Sequence, residues 1–156
     1  MNIRKATVDD SQVISILFNQ SDNFHSVNEP YIYQYTESDF RTVDYLSDLI
    51  TNEQSLFYVI ENATTVVGFV YAYSDEKGRL PIHKSRKYLV IDNICINKED
   101  QHQGYGKQLL DYVIRIAKEM HYSDIMLNVY SFNAYAISLY KKKGFRTLTQ
   151  DMILKI

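Results

Sequence analysis

The order of hydrophobic and polar positions predicts strands and helices that alternate along most of the chain. Short runs rich in β-branched and aromatic residues indicate strands, and apolar residues three and four positions apart indicate helices with one buried face. Strands are predicted at 3–8, 56–60, 66–73, 88–96 and 125–130. The clearest helices are predicted at 10–20, 104–120 and 133–143.

Where the hydrophobic pattern is less regular, turn and capping residues indicate where an element begins. A second helix is predicted to begin at Ser38, because a serine hydroxyl accepts a hydrogen bond from the N–H groups of a helix start. Its apolar face would comprise Phe40, Val43, Leu46 and Leu49.

Two segments and the C-terminus complete the predicted elements. Residues 21–37 are polar and aromatic without a clean period, and residues 74–86 are charged and contain turn formers, so both are predicted to be irregular. Gly144 is predicted to end the last helix in a left-handed cap. Two short strands are expected after it, the second at 152–156.

Together these elements predict an α/β fold in the order β-α-α-β-β-β-α-β-α-β-β. The strand–helix–strand unit over 88–130 is expected to form a parallel crossover, and the hairpins on either side are expected to be antiparallel. We therefore predict a mixed, mostly antiparallel central sheet with helices on both faces. The length of 156 residues suits one domain, predicted to span 1–156.

Composition narrows the class of protein. Apolar residues make up 46% of the chain and charged residues 23%, as in an ordinary globular protein. The net charge of −2 supplies no basic field for a nucleic-acid backbone. No stretch approaches the roughly 20 apolar residues of a membrane span, and no signal-peptide pattern is present. We therefore expect a cytoplasmic protein whose partners include neither nucleic acid nor membrane.

Cysteine and histidine usage gives no indication of a metal site. Cys95 is the only cysteine, which excludes an intramolecular disulfide and a four-cysteine zinc site. The four histidines lie far apart in the sequence and show no metal-binding spacing. The protein is therefore expected to work without a metal.

A glycine-containing segment before the strongest helix predicts an anion site. It runs Gln101-His102-Gln103-Gly104-Tyr105-Gly106-Lys107 and follows the strand that ends at Ile96. The two glycines allow backbone N–H groups to turn inward, and the helix N-terminus adds positive dipole character, which together suit a phosphate. The alternative is that the glycines form only a tight turn.

Specific residues argue against two common nucleotide-binding loops. A dinucleotide fingerprint requires a third glycine where Leu109 stands. A Walker-type loop requires glycine and serine or threonine at positions that Gln101 and Gln108 occupy. A nucleotide-binding regulatory domain is therefore disfavoured.

The glycine segment resembles the acetyl-CoA loop of the GNAT superfamily of N-acetyltransferases. That loop has the pattern Arg/Gln-x-x-Gly-x-Gly/Ala, which Gln101, Gly104 and Gly106 match. A second signature of the family is an asparagine followed by a tyrosine and then Gly-Phe. Asn133, Tyr140 and the pair at 144–145 match it in order and spacing.

The resemblance is strong over 87–146, and the predicted order of elements agrees with it across the whole chain. It implies the GNAT fold, acetyl-CoA as co-substrate, and a small-molecule or peptide amine as acceptor. Because dimers are common in that family, it also raises a homodimer as one assembly.

The resemblance also implies where acetyl-CoA binds. Backbone N–H groups of the glycine segment would hold the pyrophosphate. The strand around Ile94, Cys95 and Ile96 would pair with the amide groups of the pantetheine arm, and the strand at 125–130 would splay away to leave room. An N–H near Ile94 would face the thioester oxygen and stabilise its developing negative charge.

By the same resemblance, Tyr140 matches the general acid of the family and Asn133 matches a residue that contacts the cofactor. Lysines 141–143 would meet its 3′-phosphate. Asp92 stands nearest to the carboxylate that serves as general base in many members, whereas other members use a water molecule.

Each of these residues also has a structural interpretation. Asn133 is a favoured helix cap, and Tyr140 is a plausible core aromatic residue. Asp92 could be a hydrogen-bonding residue on a bent strand. His102 stands where the family often has glycine, which affects the conformation of the loop, and Cys95 is interpreted as a buried apolar residue and not as a nucleophile.

The sequence therefore predicts an N-acetyltransferase in which the amine attacks the thioester directly in a ternary complex. The alternative is a catalytically inactive acyl-CoA-binding module. The identity of the amine stays open.

Overall fold

A five-stranded sheet forms the centre of the computed structural model, which describes residues 2–35, 41–77, 81–82 and 84–156. The strands are β1 (Asn2–Lys5), β2 (Ser55–Asn62), β3 (Thr65–Lys77), β4 (Arg86–Ile96) and β5 (Asp124–Leu127). The helices are α1 (Ser11–Asn28), α2 (Val43–Thr51), α3 (Tyr105–Glu119) and α4 (Ala134–Lys142).

The strands lie side by side in chain order, from β1 to β5. The first four strands pair antiparallel, with α1 and α2 in the connection between β1 and β2, and β5 pairs parallel to β4 after the crossover through α3. The predicted fold class, a mixed and mostly antiparallel sheet with a parallel crossover, is confirmed.

Helices cover both faces of this sheet, each over its own apolar cluster. On one face, Ile14, Leu17 and Phe18 of α1 and Leu46 of α2 pack against β2 and β3. On the other face, α3 contributes the largest share of the buried side chains, and Tyr140 of α4 joins it. The apolar stripe of α3 that the sequence predicted is thereby buried.

Helix α1 is longer than predicted, and this corrects the irregular assignment of 21–28. The helix continues to Asn28 instead of ending near residue 20. Phe24 and His25 on the added turns contact Phe132, which is more than 100 positions away in the chain. Such distant contacts stabilise a helix whose own sequence has no clear period.

Helix α2 begins later than predicted. Its N-cap is Thr42, whose hydroxyl accepts a hydrogen bond from the Tyr45 N–H at 3.2 Å. The predicted cap Ser38 and the predicted apolar residue Phe40 lie outside the described residues.

The hairpin of β3 and β4 is also longer than the sequence indicated, since β3 runs to Lys77 and β4 begins at Arg86. The Tyr88 hydroxyl donates a hydrogen bond to Asp75 across these strands at 2.6 Å, which extends the pairing into polar sequence.

The two strands predicted after Gly144 are wrong. Residues 145–156 adopt neither strand nor helix, and all of 146–156 is exposed. A strand exists only where a neighbour accepts its backbone hydrogen bonds, and among the described residues no strand lies beyond β5.

A partly buried ion-pair network links β1 to the start of α1 and to β2. Arg4 donates two hydrogen bonds to Asp10 at 2.8 and 2.9 Å and one to Glu61 at 2.7 Å. Asp10 is 7% exposed, and its hydrogen bonds with Arg4 are the main reason that its pKa is lowered. The buried carboxylate therefore depends on the Arg4 guanidinium.

We expect Arg4→Gln to lower the free energy of unfolding by about 1–3 kcal/mol at pH 7, because Asp10 is left without its charged partner. The contribution of Asp10 is present above its unfolded pKa and is lost as pH falls through the lower folded pKa. The difference between variant and parent should therefore shrink in acid. Urea denaturation at several pH values measures it.

The matched control is Arg115→Gln, which removes an exposed ion pair with Glu119 on α3. Such a pair contributes less than about 0.5 kcal/mol. Equal effects of the two substitutions would contradict the structural role of Arg4.

Candidate functional site

The glycine segment forms a left-handed turn that begins α3. Gly104 is the N-cap residue of the helix and has φ of +89°. His102 also has a positive φ, +63°, which is a conformation that glycine adopts more readily. This backbone gives a physical reason why glycine suits position 102. The first N–H groups of α3 point out of its N-terminus, where they have no partner within the helix.

Side-chain hydrogen bonds fix the residues between β4 and this segment, and Gln20 of α1 makes two of them. Gln20 donates to the Asn97 side chain at 3.0 Å and accepts from the Lys98 N–H at 3.0 Å. Gln101 donates to the Ile96 carbonyl at 3.2 Å. Sequence reasoning missed Gln20 and Asn97, since nothing in a single sequence relates positions 77 residues apart.

Strand β4 has a bulge at Asp92. Ile91 lies opposite Ala72 and Asn93 lies opposite Tyr71, so Asp92 is the extra residue. The bulge changes the side-chain alternation: Ile91 and Ile94, three positions apart, both pack on the α3 face. The structural interpretation of Asp92 as a residue on a bent strand agrees with this bulge.

β4 continues beyond the end of its parallel neighbour. Pairing with β5 stops at Ile91 and Leu127, whereas pairing with β3 continues to Ile96. The Asn97 N–H donates to Val67 on β3 at 2.8 Å. Because successive residues alternate in direction, the backbone groups of Ile94 and Ile96 face away from β3, toward the open edge.

Cys95 points to the opposite face, into the cluster under α1. Its thiol donates to the Leu17 carbonyl at 3.2 Å, and burial raises its pKa to about 12. A thiol with this pKa carries almost no thiolate at neutral pH and is a poor nucleophile. The backbone groups of Cys95 alternate with those of Ile94 and Ile96, so they face β3 and not the open edge of the sheet.

The Tyr140 side chain packs on the α3 face of the sheet, opposite to the face on which the Cys95 side chain packs. Its ring is buried, with its centre 5.7 Å from that of Phe145, and burial raises the pKa of the phenol to about 12. None of the hydrogen bonds among the described residues uses its hydroxyl. The core role is thus observed, and the hydroxyl stays protonated and free to donate.

The structure does not bring Asp92 and Tyr140 into direct contact. Asp92 is exposed and accepts a hydrogen bond from the Asn93 side chain at 2.7 Å. It contributes to the raised pKa of Tyr71, whose main cause is burial and whose ring packs on the α1–α2 face. Asp92 thus lies near Tyr71 on the α1–α2 face, whereas Tyr140 belongs to the cluster under α3 on the other face of the sheet.

Asn133 caps α4, which is the structural role that the sequence predicted for it beside a contact with the cofactor. Its side-chain oxygen accepts a hydrogen bond from the Ala136 N–H at 3.1 Å, so its amide N–H groups remain for another partner. The His102 ring contacts the Tyr135 ring edge-on at 5.0 Å, which connects the glycine segment to the start of α4.

Lys107 in the segment is exposed, and so are Lys141 and Lys142 at the end of α4, while Lys143 forms an ion pair with Asp111 of α3. Gln101 and Gln103 are also exposed, and Tyr105 is buried in the core under α3. The side chain of Tyr105 therefore anchors the helix, and only its N–H remains for an anion.

An aromatic cluster of Phe24, His25, Tyr33, Tyr130 and Phe132 joins the end of α1 to the segment after β5. The hydroxyls of the two tyrosines are 2.7 Å apart, and this hydrogen bond, with burial, raises the pKa of Tyr33 to about 12. The His25 Nδ1 donates to the Ser21 carbonyl at 2.7 Å, which leaves Nε2 as the acceptor of the neutral ring. The sequence showed that 21–37 is aromatic, but it indicated none of the contacts with Tyr130 and Phe132.

The described residues contain no group of three or more potential metal ligands, and no helix among them is both long and apolar enough to cross a membrane.

Comparison with known proteins identifies a family for most of the chain. The model of the acetyltransferase (GNAT) family matches residues 21–145. Rat N-acetyltransferase 8B is 30% identical over 112 residues, which cover 70% of this chain and 46% of that protein. Human N-acetyltransferase 8 is 27% identical over 111 residues, with 69% and 46% covered. The chain thus spans less than half the length of these curated relatives.

Solved structures share the whole fold. The BH1408 protein of Bacillus halodurans, solved as a variant, has a TM-score of 0.94 at 24% identity and covers 100% of this chain and 99% of its own. A ribosomal-protein-alanine N-acetyltransferase from Brucella melitensis has a TM-score of 0.71 at 17% identity, with full coverage of both chains. At these identities the likeness concerns the fold alone.

The buried thiol gives a direct test of the local geometry. We expect Cys95 of the folded protein to react far more slowly with a disulfide reagent at pH 8 than the thiol of the urea-unfolded protein, because burial suppresses the thiolate. The folded rate should rise as pH increases toward about 12. Absorbance of the released thiolate measures it, and equally fast reaction in both states would contradict the described position of Cys95.

Proposed function

Because the chain belongs to the GNAT acetyltransferase family, we propose that it moves an acetyl group from acetyl-CoA to a primary amine by direct attack in a ternary complex. The observation that carries the proposal is the open edge of β4, which leads directly into the left-handed glycine turn at the start of α3. The edge offers amide partners to an extended arm, and the turn offers N–H groups to a diphosphate.

The residues present fit acetyl-CoA at this place. A side chain at Gly104 would project into open space, since its Cβ would meet only the Gln108 side chain at 4.0 Å. Backbone N–H groups of 101–107 are the proposed pyrophosphate ligands. The backbone groups of Ile94 and Ile96 are the proposed partners of the pantetheine amides, and the amide of Asn133 is a further proposed contact.

The thioester carbonyl gains negative charge while the amine adds to it. We assign its stabilisation to the Ile94 N–H, which faces the open edge. The C–N bond then forms as the C–S bond breaks, and the sulfur leaves as coenzyme A. In the overall reaction the amine loses a proton and the sulfur gains one.

Tyr140 is proposed to assist the departure of sulfur. Its phenol has a pKa of about 12, so it is protonated throughout the physiological range. A thiol has a pKa near 8.5, so complete transfer from the phenol to the thiolate is unfavourable, and the phenol is best suited to donate a hydrogen bond to the sulfur. The proton itself can come from the attacking nitrogen once that nitrogen is positively charged.

The amine must be neutral when it attacks, and an alkylamine has a pKa near 10.4. Asp92 is proposed to accept its proton, directly or through water, from the α1–α2 side of the opening. The aromatic cluster lies where β5 has ended, on this acceptor side, and we propose that it borders the amine site. We also propose a cytoplasmic location.

A specific observation favours the second candidate, an acyl-CoA-binding module without activity. Asp92 is exposed, forms a hydrogen bond with its neighbour Asn93, and has no contact with Tyr140. A module of this kind would bind acetyl-CoA and transfer its acetyl group to none of a wide panel of amines.

We expect Tyr140→Phe to lower kcat by about 10²-fold with an accepted amine, because loss of one hydrogen-bond donor to charge that develops in the transition state costs a factor of about this size. The affinity for acetyl-CoA should change less than about twofold, because the substitution keeps the ring. Release of coenzyme A, detected with a thiol reagent, measures kcat, and calorimetry measures the affinity.

The matched control is Tyr112→Phe, which removes a hydroxyl from the same apolar cluster on the side of β2. It should leave kcat unchanged. Full activity of Tyr140→Phe would eliminate the assisting role, and release of coenzyme A with no amine of the panel would favour the binding module.

A further inference from the structure

The C-terminal arm, residues 146–156, presents a single lysine in an exposed segment. The arm adopts neither helix nor strand, and every one of its residues is exposed. Its only lysine is Lys155. A lysine in such a segment can enter a neighbouring site without unfolding the protein, because few contacts have to break.

The Lys155 side chain is directed back to the connection that follows α1. Its ammonium lies 4.7 Å from the centre of the Tyr31 ring. A cation at this distance over an aromatic ring is attracted by the negative charge of the ring face. The contact therefore brings the primary amine of the arm to the residues just after the end of α1 at Asn28.

The connection after α1 is held in place at both of its ends. The N–H groups of Ile32 and Tyr33 donate to the Glu29 carbonyl at 3.1 and 3.0 Å. The Tyr33 hydroxyl shares a hydrogen bond of 2.7 Å with the hydroxyl of Tyr130. Lys155 thus contacts a turn whose position is set by α1 on one side and by the segment after β5 on the other.

This turn connects Lys155 with the opening beside β4. Tyr130 follows the end of β5 at Leu127, which is also where the pairing of β5 with β4 stops. Tyr33 and Tyr130 both belong to the aromatic cluster that we propose to border the amine site. The residues that hold the lysine of the arm are therefore continuous with the border of that site.

Lys87 makes a similar contact at a different place in the fold. Its ammonium lies 4.9 Å from the centre of the Tyr122 ring. Tyr122 precedes β5, so it lies at the other end of that strand from Tyr130. The two lysines are both exposed and both lie over a tyrosine, but only the Tyr31 contact belongs to the turn at the aromatic cluster.

We propose that Lys155 is a modification site, at which the chain transfers an acetyl group from acetyl-CoA to the amine of its own arm. This inference rests on the proposed acetyl transfer and names one acceptor for it. The lysine nitrogen forms an amide bond with the acetyl carbon while the C–S bond breaks. Of the two protons that the ammonium loses, one goes to the sulfur of coenzyme A and the other goes to solvent.

The modification also changes the contact that brings it about. An acetylated lysine carries no charge, so its attraction to the Tyr31 ring is lost. The arm is then released from the connection after α1, and each chain is modified only once. The border of the amine site becomes accessible to a different acceptor.

Mass spectrometry of the intact protein during incubation with acetyl-CoA tests the proposal. The parent protein should gain one acetyl group, and peptide mapping should place it on Lys155. Because the site and the acceptor belong to one chain, the rate per molecule should not change when the protein is diluted. Lys155→Arg keeps the positive charge but has no reactive amine, and it should gain no acetyl group over the same time.

The matched control is Lys87→Arg, which removes the lysine at the other end of β5 and should gain one acetyl group at the parent rate. Tyr31→Leu should slow the modification about two- to fivefold, because a cation–π contact at an exposed site contributes a factor of this size. Calorimetry should give all three variants the parent affinity for acetyl-CoA, since none of the substituted residues belongs to its proposed site.

The outcomes separate this inference from the proposed function. Binding of acetyl-CoA without acetylation of Lys155 would overturn the inference and leave the cofactor site as proposed. Equal acetylation of Lys155 and Lys87, or a rate that rises with protein concentration, would overturn it as well, because the reaction would then be non-specific or occur between chains. Absence of acetyl-CoA binding would overturn the proposed function and this inference with it.

Discussion

Where a strand loses a neighbour, its backbone amides need other partners. This requirement determines the structure around the end of β5. β4 is paired on both sides as far as Ile91, and beyond that point it is paired only with β3. The groups at Ile94 and Ile96 then face an open edge. An extended ligand with amides of its own can complete the sheet there, as a missing strand would.

The neighbouring features follow from this opening. The bulge at Asp92 lies just where the pairing with β5 ends, and it places Ile91 and Ile94 on one face. Beyond the strand, Gly104 turns the chain into α3, so that the helix N-terminus lies at the end of the same edge. Gln20 of α1 fixes this corner from the other face of the sheet. The open edge, the glycine turn and the start of α3 thus form one continuous row of backbone polar groups.

Much of this could be predicted from the sequence, since the information is local. The stripe of α3 and the alternation of β4 follow from spacing, and the loop at 101–107 follows from two glycines before a strong helix. The last turns of α1 could not, because Phe24 and His25 are held by contacts more than 100 residues away. The bulge at Asp92 is likewise a property of pairing with β3.

The C-terminus also shows that a strand-like sequence is not sufficient, because a strand needs a neighbouring strand to pair with. Residues 152–156 have the composition of a strand, and the sequence predicted one. A strand also needs an acceptor edge in reach, and the extended arm does not turn back to β5. The acid and base assignments at Tyr140 and Asp92 came from family resemblance. The structure adds that these residues lie on opposite faces of the sheet.

The central claim is that the glycine turn and the open edge of β4 bind acetyl-CoA. Calorimetric titration with acetyl-CoA, NAD and ATP tests it most directly, with Gly104→Ala compared with Gly144→Ala. Both glycines have a positive φ, so both substitutions strain the backbone, but only Gly104 lies at the proposed phosphate site. We predict that the protein binds acetyl-CoA in preference to both nucleotides, and that Gly104→Ala alone weakens this binding at least tenfold. Absence of acetyl-CoA binding, or equal loss in the two variants, would contradict it.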